Sequence, residues 1–237
     1  MKPFADRRDA GRQLAERLAA RRPRASADLP VVIGMARGGV PVAAEIARRL
    51  RAPLDTIVVR KIGCPWQPEL GVGALAEGGV VVLDDVLIEE LGITTGELDA
   101  TIAAEERELA RRVAHYRGAT DPVPLIGREV ILVDDGLATG GTARAAIRSI
   151  RARGAVRVIL AVPVAPRDTL DRMRPLVDDV AVLDTPTWFG AIGLYYVDFE
   201  QTSDEEVVAA LSSAPAHAPG GGAPIRPRPS ASAQRTP

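Results

Sequence analysis

The chain has 237 residues, 46% hydrophobic and 26% charged, with a formal net charge of −1; this supports a sizeable core and lacks the basic excess that binds nucleic acid by counterion release. Cys64 is the one cysteine, which rules out an intrachain disulfide and leads us to expect a reducing, cytoplasmic setting. No apolar run reaches membrane-spanning length and Met1 to Arg7 lacks a signal-peptide core, so a membrane is not expected as a partner.

Asp6 to Arg22 carries Leu14, Leu18 and several alanines at helical spacing. Pro30 to Met35 reads as a short apolar strand. The turn Gly34-Met35-Ala36-Arg37-Gly38-Gly39-Val40-Pro41 then leads into a helix over Val40 to Leu50. At a strand end before a helix, such a turn offers an anion backbone N–H groups and one cation, Arg37. Taken alone, it is more often a tight connection. Leu54 to Val59 is the next strand, ending in Arg60-Lys61. Only Lys2 and Lys61 among the 30 basic residues are lysines, which suggests that position 61 uses a compact ammonium.

Residues 64–79 hold Pro65, Trp66, Pro68, Gly71, Gly73, Gly78 and Gly79 and read as a mobile stretch. Glu69 within it is either a lid acid or a solvated loop carboxylate. Val80 to Leu83 is a strand whose end is Asp84-Asp85. Thr94 to Tyr116 is a long charged helix, with a capping box from Thr94 to Glu97. Glu129 to Val133 is a strand and Thr142 to Arg153 a helix ended by Gly154. Val156 to Val162 and Val177 to Leu183 complete the strands. This alternation predicts an α/β fold, a central mostly parallel sheet flanked by helices, with its ligand at the carboxyl ends of the strands. Pro, Ala, Gly and Ser dominate from Ser212 onward. The expected organisation is one domain over 1–212, with 84–117 as a helical insertion and 184–200 as a small hood. Residues 213–237 are expected to form a disordered tail.

The most informative segment is 130–142, Val-Ile-Leu-Val-Asp-Asp-Gly-Leu-Ala-Thr-Gly-Gly-Thr. A buried strand feeds a loop of small residues at a helix N-terminus, where N–H groups and the helix dipole favour an anion. Gly140 and Gly141 permit close backbone approach, and Thr139 and Thr142 add hydroxyl donors. Asp134 and Asp135 cannot bind a phosphate, but they can accept hydrogen bonds from hydroxyls beside it. A sugar phosphate fits this arrangement. The alternative is a strand-turn-helix with a solvated Asp pair.

These thirteen residues resemble the phosphoribosyl-diphosphate (PRPP) signature of type I phosphoribosyltransferases, closest to the adenine branch. The resemblance implies transfer of the 5-phosphoribosyl group of PRPP to a nitrogenous base with release of pyrophosphate. Mg²⁺ is the implied cofactor, held mostly by substrate phosphates rather than by a protein cage. Carried over, Asp134 and Asp135 hold the ribose hydroxyls, and Ala138, Thr139, Gly140, Gly141 and Thr142 hold the 5′-phosphate. The turn at Arg37, Gly38 and Gly39 is similar to the pyrophosphate loop, which implies a cis peptide near Ala36-Arg37-Gly38. Arg60-Lys61 looks like the pair that reaches the pyrophosphate, and 64–79 looks like the lid.

Ala138 stands where 6-oxopurine enzymes of the family usually carry an acid/base Asp, which argues against hypoxanthine and guanine. The base would lie in the hood. Five of the eight Phe, Trp and Tyr residues fall between Trp188 and Phe199. Trp188 and Phe189 are the candidates for stacking on it; Tyr195, Tyr196 and Phe199 read better as core. The alternative is that all five pack the last strand onto the sheet. Asp198 is a candidate carboxylate for a pyrophosphate-bound metal. Residues 84–117 do not look like the adenine branch, and over its whole length the chain resembles phosphoribosyltransferases with an inserted helical segment. The same fold also admits a PRPP- or nucleotide-sensing regulator, and a homodimer.

Overall fold

A computed structural model describes residues 3–21, 29–118 and 120–213. Its centre is a five-stranded parallel sheet. In chain order the strands are β1 (Val31–Met35), β2 (Leu54–Ile57), β6 (Glu129–Val133), β7 (Arg157–Val164) and β8 (Asp179–Asp184), and in space they run β2-β1-β6-β7-β8. Side chains alternate across this sheet with the period of two that a strand imposes. Val31, Ile33, Val130 and Leu132 face one way, toward Ala143, Ala146, Ile147 and Ile150 of helix α5 (Gly141–Ala152). Val32, Ile131 and Val133 face the other, toward α1 (Arg7–Arg21) and α2 (Gly39–Leu50). Burial on both faces explains why these strands read as continuous apolar runs.

From β1 the chain passes through α2 to β2 on one side, whereas β6 is followed by β7 and β8 on the other. The strand order therefore reverses between β1 and β6. A parallel sheet opens a crevice at such a point, outside the carboxyl ends of its strands.

A second sheet is three-stranded and antiparallel, β3 (Val59–Cys64), β4 (Gln67–Ala76) and β5 (Val80–Leu83). It corrects two expectations. Val80–Leu83 belongs here and not to the parallel sheet, and 64–79 is for the most part regular strand. The glycines mislead because Gly73 serves strand packing: a Cβ there would lie 2.6 Å from the Val82 carbonyl oxygen of β5. The strand expected from Leu54 to Val59 is divided between the two sheets.

Helices α3 (Asp85–Leu91) and α4 (Thr95–Arg117) follow. The Asp84 carboxylate accepts from Leu87 N at 3.2 Å, so it is the N-cap of α3 and not merely a strand end. The capping box opening α4 is present: Glu97 accepts from Thr94 N at 3.0 Å, and the Thr94 hydroxyl accepts from Glu97 N at 3.4 Å. At the other end of α4, Arg117 anchors both sheets. Its guanidinium lies 3.2 Å from Asp55 on β2 and 2.5 Å from Glu77 beyond β4, and it donates to the Thr56 carbonyl at 2.5 Å. Two short helices complete the described chain, α6 (Arg167–Met173) and α7 (Asp204–Ser212), the latter opened by a second capping box, from Ser203 to Glu206. The expected tail from 214 onward lies outside the described residues. No helix among the described residues is long and apolar enough to cross a membrane.

Candidate functional site

The signature loop leaves β6 at the reversal point. Gly140 takes the left-handed backbone that lets the loop turn directly into α5 (φ 83°). Among the described residues no side chain caps the first turn of that helix, whose first closing hydrogen bond runs from Arg144 N to the Gly140 carbonyl at 2.9 Å. The N–H groups ahead of Arg144 therefore point out with the positive end of the helix dipole behind them. Ala138, Thr139 and Gly141 are exposed and Thr142 is half-buried. Thr169 of α6 steadies this loop by donating to the Ala138 carbonyl at 2.6 Å. Nothing local marks Thr169 in the sequence, because its partner is 31 residues away.

The two acidic residues have different surroundings. Asp134 is half-buried and accepts from the N–H of Asp135 at 2.9 Å. Asp135 is buried, and its Oδ2 lies 2.7 Å from Nε of Arg7 at the start of α1. Arg7 is itself fixed by stacking 3.9 Å above the Phe199 ring and by donating to the Glu200 carbonyl at 2.5 Å. Tyr196 donates to the Asp135 carbonyl at 2.5 Å. Burial, and then the charge of Asp135, push the Asp134 carboxyl well above the usual carboxylate range. Burial raises Asp135 too, against the pull of Arg7.

The Gly38-Gly39 turn packs directly onto this pair. A Cβ on Gly38 would lie 2.1 Å from Asp135 Oδ2, and one on Gly39 would lie 2.4 Å from the Val133 carbonyl oxygen. The turn between β1 and α2 thus fits only without side chains there. The peptide between Ala36 and Arg37 is cis, where the sequence resemblance led us to expect one.

The three cations assigned to a leaving group each have a protein partner. Arg37 lies 3.5 Å from Asp204 at the start of α7, and Arg60 lies 2.6 Å from Glu105 of α4. The Lys61 ammonium donates to the Glu69 carbonyl within the hairpin, and it lies 4.0 Å from the Glu69 carboxylate. Glu69 is otherwise exposed.

Beyond β8, residues 185–200 run as loop with one short 3₁₀ turn, Ile192–Tyr195. A cavity of about 500 Å³ there is lined in part by Asp184, Thr185, Thr187, Trp188 and Tyr195. Trp188 is 75% exposed, so its ring is uncommitted to the core. Phe189 stacks on Tyr195, with ring centroids 5.6 Å apart, and Tyr195 donates to the Trp188 carbonyl at 3.0 Å. Tyr196 is buried and packs on Phe4 and Phe199. The segment around Phe4 pairs with this loop through Phe4 N to the Tyr195 carbonyl and Val197 N to the Phe4 carbonyl, each at 2.8 Å.

Asp198 accepts from Glu200 N at 3.1 Å and lines a separate small cavity with Arg7, Arg8 and Glu206. Among the described residues no group of three or more His, Cys, Asp or Glu could hold a metal ion. A metal that arrives on substrate phosphates needs no such cage. A larger cavity of about 760 Å³ between α2 and α7 contains none of the signature residues.

The model of the phosphoribosyl transferase domain matches residues 7–200. A provisionally named phosphoribosyl transferase of Mycobacterium tuberculosis is 50% identical over 214 residues, covering 90% of this chain and 47% of that protein. The chain thus spans about half the length of that curated relative. The bifunctional protein PyrR of Chloroflexus aurantiacus is 32% identical over 154 residues, covering 64% of this chain and 77% of that protein. Among solved structures, the Thermus thermophilus protein TT1426 superposes with a TM-score of 0.74 at 41% identity, covering 89% of this chain and 98% of that one.

Proposed function

Because the chain belongs to the phosphoribosyl transferase family, we propose that it transfers the 5-phosphoribosyl group of PRPP to a nitrogenous base and releases pyrophosphate. One observation carries this reading. The uncapped first turn of α5, the acidic pair and the Arg37 turn meet at the ends of adjacent parallel strands. In this reading the N–H groups of Gly140, Gly141 and Thr142 and the hydroxyls of Thr139 and Thr142 hold the 5′-phosphate. Asp134 accepts from the ribose hydroxyls. Asp135 does so through Oδ1, since Oδ2 is engaged by Arg7. Arg37, Arg60 and Lys61 balance charge developing on the diphosphate as it leaves.

The transition state builds positive charge at C1′. A poorly solvated carboxylate such as Asp134 stabilises that charge more than a hydrated one could. Mg²⁺ bound to the diphosphate would neutralise part of its charge. Trp188 offers the base a stacking face, and the Phe189–Tyr195 stack supports the loop that carries it. With no carboxylate at Ala138, a 6-aminopurine or a related heterocycle is favoured over hypoxanthine or guanine. The lone cysteine supports a cytoplasmic setting and a role in nucleotide salvage is consistent with this chemistry.

A second reading is a PRPP- or nucleotide-sensing protein. It is favoured by the carboxylates that already occupy Arg37 and Arg60. Measuring pyrophosphate release from PRPP with each purine and pyrimidine in turn separates the two. Release with at least one base, abolished in Asp134→Asn, is expected. PRPP binding with no release for any base would favour the sensor.

A further inference from the structure

The helical segment 84–117 has no part in the reading above, yet its side chains reach the cations of the site. Glu105, in the middle of α4, pairs with Arg60 at 2.6 Å. Tyr116, near the end of the same helix, donates to Asp204 Oδ1 at 2.7 Å. That same oxygen faces Arg37 at 3.5 Å. The Tyr116 ring is buried with Val40, Val58 and Val207, so α4, α7 and the start of α2 are held as one packed unit around this contact. Tyr116's hydrogen bond, and then the charge of Arg37, hold Asp204 below the usual carboxylate range, so Asp204 is charged at neutral pH. The Tyr116 hydroxyl is pushed up to about 12, by burial first and then by Asp204, so it remains a donor.

A carboxylate beside a cation lowers that cation's attraction for any other anion, and salt screens the effect. We propose that Glu105 and Asp204 are built-in competitors of the leaving group: they pair with Arg60 and Arg37 and so weaken the hold on pyrophosphate, and Tyr116 tempers Asp204 by sharing its Oδ1. The inference rests on the functional reading above and gives segment 84–117 a task within it. α4 carries one competitor and the hydroxyl that moderates the other. A site that binds a multiply charged product with several cations gains from such competition, because product leaves more readily.

The competition has a signature that simple structural support lacks, namely opposite signs. Asp204→Asn and Glu105→Gln each free a cation, so each tightens binding of inorganic pyrophosphate, by about three-fold or more for partly buried pairs of this kind. Tyr116→Phe removes the moderating hydroxyl and leaves Oδ1 to Arg37 alone, so it weakens binding by a similar factor. The Tyr116→Phe/Asp204→Asn double variant follows Asp204→Asn. Calorimetric titration of the full chain with pyrophosphate in the presence of Mg²⁺, at low and at high salt, reads all four, and the differences should narrow at high salt. Unchanged or weaker binding in both Asp204→Asn and Glu105→Gln overturns the proposal. So does a Tyr116→Phe effect of the same sign as Asp204→Asn. Glu105→Gln provides an independent arm if a variant at the buried Tyr116 contact fails to fold. Wild-type protein that binds neither pyrophosphate nor PRPP would defeat the functional reading, and this proposal with it; wild-type binding with unresponsive variants would defeat this proposal alone.

Discussion

Asp134→Asn should make the protein more stable while removing a group it needs for its ligand. Two carboxylates follow one another at the end of β6; burial raises both above the usual range, and the charge of Asp135 raises Asp134 further. Among the described residues one guanidinium, that of Arg7, is paired with Asp135. Asparagine has nearly the shape of aspartate and retains an oxygen for the Asp135 N–H, which Asp134 now accepts at 2.9 Å. The variant therefore keeps the turn and loses a poorly solvated charge beside a second one. Two unit charges about 5 Å apart repel by roughly 3 kcal/mol at an effective dielectric of about 20. Arg7 and partial solvation of Asp134 offset much of this, leaving roughly 1–2 kcal/mol. For a chain of this size that corresponds to about 2–8 °C in Tm.

The sign with pH follows from the direction of the shift. A carboxyl with a raised pKa in the folded state binds its proton more tightly there than in the unfolded chain. Wild-type stability therefore falls relative to the variant as pH rises from the unfolded value, about 4, through the folded one. Thermal melts of both proteins from pH 4 to 8 should show curves that nearly coincide at the acid end and separate toward neutrality, with Asp134→Asn the higher. A variant less stable than wild type at neutral pH, or a gap independent of pH, would refute the reasoning.

Arg7→Met leaves the buried Asp135 without its cation and should cost about 2–4 kcal/mol, measured by denaturant unfolding at neutral pH. Arg117→Met strips Asp55 and Glu77 of their shared partner and should cost about 3–5 kcal/mol, with loss of coupling between the two sheets visible in hydrogen exchange. Thr169→Val removes the donor to the Ala138 carbonyl, so PRPP affinity should fall several-fold with at most about 1–2 kcal/mol lost in stability. Trp188→Ala should raise the KM of the base about ten-fold and leave PRPP affinity and Tm nearly unchanged, because the ring is 75% exposed. Unaltered base affinity in that variant would remove Trp188 from the site.

The features legible in the sequence were those encoded locally. Continuous apolar runs announced the parallel strands, Thr94 and Glu97 announced the start of α4, and the strand-acid-glycine order of 130–142 announced the loop. The hairpin was hidden because Gly71 and Gly73 serve close packing against lysine and neighbouring strands, while the same residues in isolation read as mobile loop. α6 was missed because Pro166 and only seven residues give it almost no periodicity. The partners of the site residues were not legible. Arg7 reaches Asp135 across 128 positions, and Arg60 reaches Glu105 across 45. Nothing in a local pattern fixes which carboxylate a guanidinium meets. Only the reversal of strand order and the packing of α4 on the hairpin bring those pairs together.

In the proposed function the crevice between β1 and β6 binds PRPP through Asp134 and the first turn of α5. The most direct measurement is calorimetric titration of PRPP with Mg²⁺ into wild-type protein and into Asp134→Asn, both first confirmed to be folded by thermal melts. Saturable one-site binding to wild type, weakened at least ten-fold in the variant, is the predicted result. Equal affinity for the two folded proteins, or no binding to either, would contradict it.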